Sequence, residues 1–136
     1  MPARLQRKRT KGYKMPENTQ YVGRPTKWGN PFKLVGGTVY INAGHRRKVF
    51  DKWVWLCEGK NSVYVVWLYA LLFESTERWR KMDAFNDHYC DFEFWRNHFK
   101  KLDLSEIRSK NLACFCSLET PCHADFLLKI ANQNPI

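Results

Sequence analysis

The 136-residue chain has no apolar run long enough to span a bilayer. Its longest, Val63 to Phe73, has eleven residues with Tyr and Trp among them, against the roughly 20 that a spanning helix needs. No apolar stretch of signal-peptide kind follows the basic first residues, so a soluble, cytoplasmic protein without membrane contact is expected. Cysteine is present in an odd number, five. Without a secretory signal that disfavours a disulfide framework and favours reduced thiols, metal ligands or a reactive thiol. No internal repeat is visible, and no standard zinc-finger spacing occurs.

Acid is missing from the N-terminal segment. Arg4, Arg7, Lys8, Arg9, Lys11 and Lys14 all precede Glu17, the first acidic residue. These six hold more than half of the formal net charge of +10, and the remainder carries 17 basic against 13 acidic residues. Such a local field attracts polyanions, because each neutralised phosphate releases counterions. The plainer alternative is a solubilising arm. What the chain has in plenty is core material: 44% hydrophobic residues, with Trp 6, Tyr 6 and Phe 9, which excludes disorder of the whole chain. The aromatics could equally serve a homodimer interface. The expected organisation is a flexible basic arm at 1–15 and a single compact domain at 16–136.

Local patterns fill that domain with strands and helices. Residues 16–37 form a Gly-, Pro- and Asn-rich ordered loop with an extended piece at Tyr21–Gly23. Thr38–Ile41 reads as a strand. Arg46–Glu58 reads as a helix on the stripe Val49, Phe50, Trp53 and Leu56, with Gly59 as its stop. Val63–Phe73 has strand chemistry in its first half and helix chemistry in its second. Thr76–Phe99 is helical in character, with Asp83, Asp87 and Asp91 on one face for the arm, solvent or a divalent ion. Asn111–Cys116 reads as a buried strand. Thr120 then stands as a helix N-cap, with Pro121 at the first position and Ala124, Leu127, Leu128 and Ala131 on the packed face. The fold class expected is α/β: a small sheet with packed helices and a C-terminal strand–turn–helix.

Two places concentrate chemistry. Cys114, Cys116, Cys122 and His123 place three thiols and an imidazole within ten residues, the donor types zinc takes in tetrahedral sites. Cys114 and Cys116 would share a strand face. Adjacent Cys122 and His123 would diverge at a helix start, which counts against a common metal. Cys90 and His88 are further ligand candidates. In a catalytic reading, Cys122 is a thiolate stabilised by free helix N–H groups, with His123 to move a proton and Asp125 as a carboxylate. In the third reading, the cysteines simply pack.

The loop from Gly23 to Phe32 is the other place. Arg24 offers a planar fork for phosphate, Trp28 a face on which a base can stack, Asn30 an amide for a base edge, and Gly29 room for close approach. Lys27, Arg46 and Arg47 would add phosphate contacts; consecutive Arg46, Arg47 and Lys48 at a helix start are unfavourable without an anion. Alternatively, Trp28 and Phe32 cover the core while Asn30 satisfies turn amides. His45 reads as a capping or surface residue.

Together, Val22–Phe32 and the blocks Leu112–Cys116 and Pro121–Asp125 resemble a small domain-of-unknown-function family found in phages and bacteria. That family often has Cys-Trp-Cys where Phe115 stands here between two cysteines. The resemblance implies that the blocks belong together and that the chain is phage or prophage in origin, acting in host cytoplasm. It implies no reaction. The leading expectation is therefore a nucleotide- or nucleic-acid-binding protein in which the Arg24–Phe32 loop meets the Cys116–His123 turn over one pocket. The alternatives are an enzyme acting on nucleotides or modified nucleic acid, with glycosidic-bond chemistry as one form, and a zinc-stabilised interaction module.

Overall fold

A computed structural model describes residues 2–44, 52–59, 61–74 and 88–133. In chain order its elements are β1 (Arg4–Gln6), β2 (Thr19–Tyr21), β3 (Phe32–Val35), β4 (Thr38–Asn42) and β5 (Trp53–Glu58). The helices α1 (Ser62–Leu71) and α2 (Tyr89–Lys100) follow, then a 3-10 turn (Leu104–Glu106), β6 (Asn111–Cys114) and α3 (His123–Ala131). This is an α/β protein that ends in the expected strand–turn–helix. Its contacts group into two compact units, one of Met1–Gly29 with Asp103–Ile136, the other of Asn30–Leu102.

The first unit is built on β6. Leu112, Ala113 and Cys114 are all buried, as a strand covered on both faces should be. β1 and β2 flank it, both parallel, with Leu5 and Tyr21 each in register with Ala113. The ladder runs past the strand ends: Arg7 N–H donates to the Cys114 carbonyl at 2.7 Å and Val22 N–H to Ala113 at 2.9 Å. α3 packs on β6, β1 and the 3-10 turn, burying Ala124, Leu127 and Ala131. Arg4–Gln6 is thus a strand within the segment expected as a basic arm. A central strand as apolar as β6 needs partners on both edges, and the tail supplies one.

The second unit is an antiparallel sheet, β3-β4-β5. Val35 pairs with Thr38 across Gly36 and Gly37, at φ +56° and +80°. Two positive φ values make the tight turn whose twist suits a hairpin, and glycine takes them without strain. α1, capped by the Asn61 side chain, packs on β3. Phe99 of α2 meets the rings of Tyr69 and Phe73, each at 5.1 Å between centroids.

In this unit and at α3, two sequence readings are corrected and one left open is resolved. Residues 53–58 are a strand, not the end of a helix: the stripe through Trp53 and Leu56 fits helical spacing, but Trp53-Val54-Trp55 has β chemistry and β4 provides the pairing. Val63–Phe73 resolves mainly as helix. At the C-terminal helix the cap is Cys122 rather than Thr120. Arg46, Arg47, His45, Asp83 and Asp87 lie outside the described residues; Asp91 is buried on α2.

Candidate metal centre

The three C-terminal cysteines converge. Cys114 ends β6, Cys116 follows in the exposed loop, and Cys122 caps α3. Their sulfurs all lie within 4.8 Å of one another, and Cys114 Sγ is 3.0 Å from Cys122 Sγ. Sulfurs around a tetrahedral zinc, each about 2.3 Å from the ion, stand about 3.8 Å apart. That value falls within the 4.8 Å limit on the sulfur separations, so the set could hold a thiophilic metal ion.

His123 lies beside this set, although only the three sulfurs all come within 4.8 Å of one another. Its ring is buried, and Nε2 lies 2.8 Å from the Val22 carbonyl oxygen. A carbonyl only accepts, so Nε2 carries the proton and donates. Nδ1 is left with its lone pair, 3.5 Å from Cys122 Sγ. This is the usual arrangement for a metal-ligating imidazole, with the distal nitrogen fixed by a backbone oxygen. Burial holds the His123 pKa below its ordinary value, against the opposing pull of the Val22 hydrogen bond. The ring is therefore neutral near pH 7, the state a ligand requires.

Cys122 and His123 do not share a helical turn, because Cys122 is not helical, yet the set of mutually close ligand atoms still leaves His123 out. Its backbone is extended, at φ −145° and ψ 150°, and only His123 begins the helix. The two side chains are thus not separated by the helical turn that divides neighbours within a helix.

The thiols are electrostatically unequal. Hydrogen bonds from Cys114 and Cys122 stabilise a thiolate on Cys116, pulling its pKa down to about 2 against burial, with help from the Arg4 charge. Cys122 is pushed up, first by its hydrogen bond with Cys114 and then by that with Cys116 and by burial. Cys114 is also raised, chiefly through Cys116. One thiolate held by two protonated neighbours is a site that a divalent cation would complete.

Arg4, which the sequence reading counted among the basic arm, holds the loop carrying these sulfurs. Its side chain is 7% exposed. Its guanidinium donates to the Ser117 carbonyl at 2.9 Å, the Thr120 carbonyl at 2.8 Å and Asp125 Oδ2 at 3.1 Å. The same Asp125 oxygen accepts from Cys122 N–H at 3.2 Å. Asp125, a candidate catalytic carboxylate, therefore fixes the helix start. No local pattern marks Arg4 for this task, since it depends on strand pairing across the length of the chain.

The two motif blocks do adjoin at Val22 and His123, but the loop residues proposed for a ligand have other occupations. Arg24 and Lys27 are exposed, whereas Trp28 is buried. Lys27 pairs with Glu106 at 2.6 Å. The group that approaches Gly29 is Arg24 itself: a Cβ there would sit 2.9 Å from Arg24 Cγ. Asn30, in the second unit, accepts from Phe32 N–H at 2.9 Å, as a turn-satisfying amide does. A cleft of about 450 Å³ lies beside Trp28, lined by residues that include Gln20, Lys27, Glu106 and Lys110; none of Cys114, Cys116, Cys122 and His123 lines it. Cys90 and His88 sit at the start of α2 in the other unit. No described helix is long and apolar enough to cross a membrane.

Among known families, one whose model is described as a domain of unknown function matches residues 5–133. No curated protein and no solved structure matches the chain.

Proposed function

That match covers most of the sequence, so the chain belongs to the family Domain of unknown function (DUF4326), and we propose that it is a zinc-stabilised binding module. Cys114, Cys116 and Cys122 are the thiolate ligands and His123 Nδ1 the fourth donor. The single observation that carries this reading is the convergence of three sulfurs within 4.8 Å, next to an imidazole whose other nitrogen is tied to a carbonyl. A closed set of four protein ligands suits a structural ion, whereas catalytic zinc keeps a position open. The ion would lock β6, the 117–121 loop and α3 together.

Turnover of a nucleotide by Cys122, His123 and Asp125 has less support. Cys122 is buried and its thiol pKa is raised, His123 donates to Val22, and Asp125 is engaged by Arg4. A phage or prophage origin belongs to the proposal on the strength of the resemblance alone.

The test is elemental analysis of the full chain purified without added metal. One equivalent of zinc is expected, or one equivalent taken up with rising thermal stability. Cobalt in its place should show intense thiolate charge-transfer absorption. A folded protein that neither contains nor takes up zinc overturns the proposal.

A further inference from the structure

Beside the cysteine cluster, the first unit carries a face of arginines laid on aromatic rings. Arg7 Cζ is 4.6 Å from the centroid of Tyr21 and 5.4 Å from that of Phe115. Arg9 Cζ is 4.0 Å from Phe115. The two rings meet edge to face, 5.7 Å apart. We propose that this face binds single-stranded nucleic acid.

Each part of the face is held in place. Arg7 extends the ladder through its N–H to Cys114, and Phe115 stands between two cysteines of the cluster. Tyr21 donates its hydroxyl hydrogen to the Arg24 carbonyl at 2.8 Å. Gly23 makes room for that ring, since a Cβ there would run into the Tyr21 hydroxyl and ring atoms.

The chemistry selects the ligand. A guanidinium lying on a ring keeps its N–H edge for a phosphate, while its flat outer side can stack a base. Arg9 is exposed, and no ion pair among the described residues involves Arg7 or Arg9. Lys8, Lys11 and Lys14, on the same acid-free segment, are exposed too, which gives a backbone of phosphates several further contacts. Alternating charge and planar surface is what a strand of unstacked bases requires. A duplex hides its base faces.

The proposal does not depend on zinc, so metal content is measured on every sample and read separately. The experiment is fluorescence anisotropy of the full chain with a labelled oligothymidine of about 12 nucleotides. Binding should weaken as salt rises, with a log–log slope near −0.7 for each phosphate contacted. R7A/R9A should flatten that slope by about 1.4. F115L should lose affinity by roughly 5- to 150-fold at unchanged slope, the cost of one stacked base. The same sequence as a duplex should bind more weakly at matched salt. Four results would overturn the proposal: no binding by wild type at about 50 mM salt, an unaltered slope in R7A/R9A, full affinity in a folded F115L, or a preference for duplex.

Discussion

The imidazole of His123 is hydrogen-bonded to the carbonyl of Val22, 101 residues earlier in the chain. One short bond thus joins the end of β2 to the start of α3 and decides which nitrogen of the ring faces Cys122 Sγ. Replacing His123 with Gln should keep the chain folded and lower zinc affinity by at least about 10-fold. Competition against a chromophoric chelator measures this. Unchanged affinity would leave the fourth position to a water molecule.

C114S and C116S should each lose the bound zinc, and competition by protons should make wild-type zinc affinity fall as pH falls. Metal analysis after gel filtration, at two pH values, checks both statements. C57S is the control, because Cys57 lies on β5 in the other unit and pairs with Tyr64. It should retain a full equivalent.

Arg4 should matter more than its carboxylate partner. R4A removes a buried guanidinium that satisfies two loop carbonyls, at a cost of about 2–4 kcal/mol. D125A should cost less than about 1 kcal/mol through the ion pair, since Asp125 is 54% exposed. Urea denaturation of the two variants gives the ordering, and equal losses would shift the weight to the Asp125 contact with Cys122 N–H.

Alkaline pH should loosen the second unit at Tyr64 and Cys57. Burial, and then the hydrogen bond with Cys57, push the Tyr64 pKa up to about 12, and burial raises Cys57 as well. Groups with raised folded-state values bind protons more tightly when folded. Their contribution is therefore complete below the unfolded values near 9 and 10 and disappears as pH climbs toward 12. Ultraviolet titration should show one tyrosinate appearing late, and Y64F should abolish that late step.

Gly59 should not accept alanine. A Cβ there would collide with Val39 Cγ2 and lie 3.3 Å from Leu34 Cδ1, so G59A should destabilise by about 1–3 kcal/mol. In a G59A/V39A cycle the double variant should lose less than the sum of the singles. Strict additivity would assign the cost to some other cause.

What was legible in the sequence was local. The apolar run Leu112–Cys114 and the helical stripe Ala124, Leu127 and Ala131 announce the strand–turn–helix on their own. The four donors of the cluster are visible as composition and spacing. Their geometry is not, because it depends on where the helix begins: a cap at Thr120 separates Cys122 from His123, and a cap at Cys122 does not. The strand at 53–58 reads as helix because Trp53 and Leu56 stand at helical spacing, and the pairing with β4 that overrides it is not visible locally. The roles of Arg4 and Arg7 were illegible for a stronger reason. A three-residue strand in a basic tail has no signature of its own and exists by pairing with a distant one.

The parallel ladder around β6 has a consequence for the order of events during synthesis. Ala3 N–H meets the Asn111 side chain 108 residues away, and both flanking strands must wait for the same late segment. The unit from Asn30 to Leu102 is contiguous and can pair its hairpins while still attached to the ribosome. β1 and β2 are thus made well before β6 and are among the last to acquire their hydrogen bonds, open to chaperones or ligands until β6 follows.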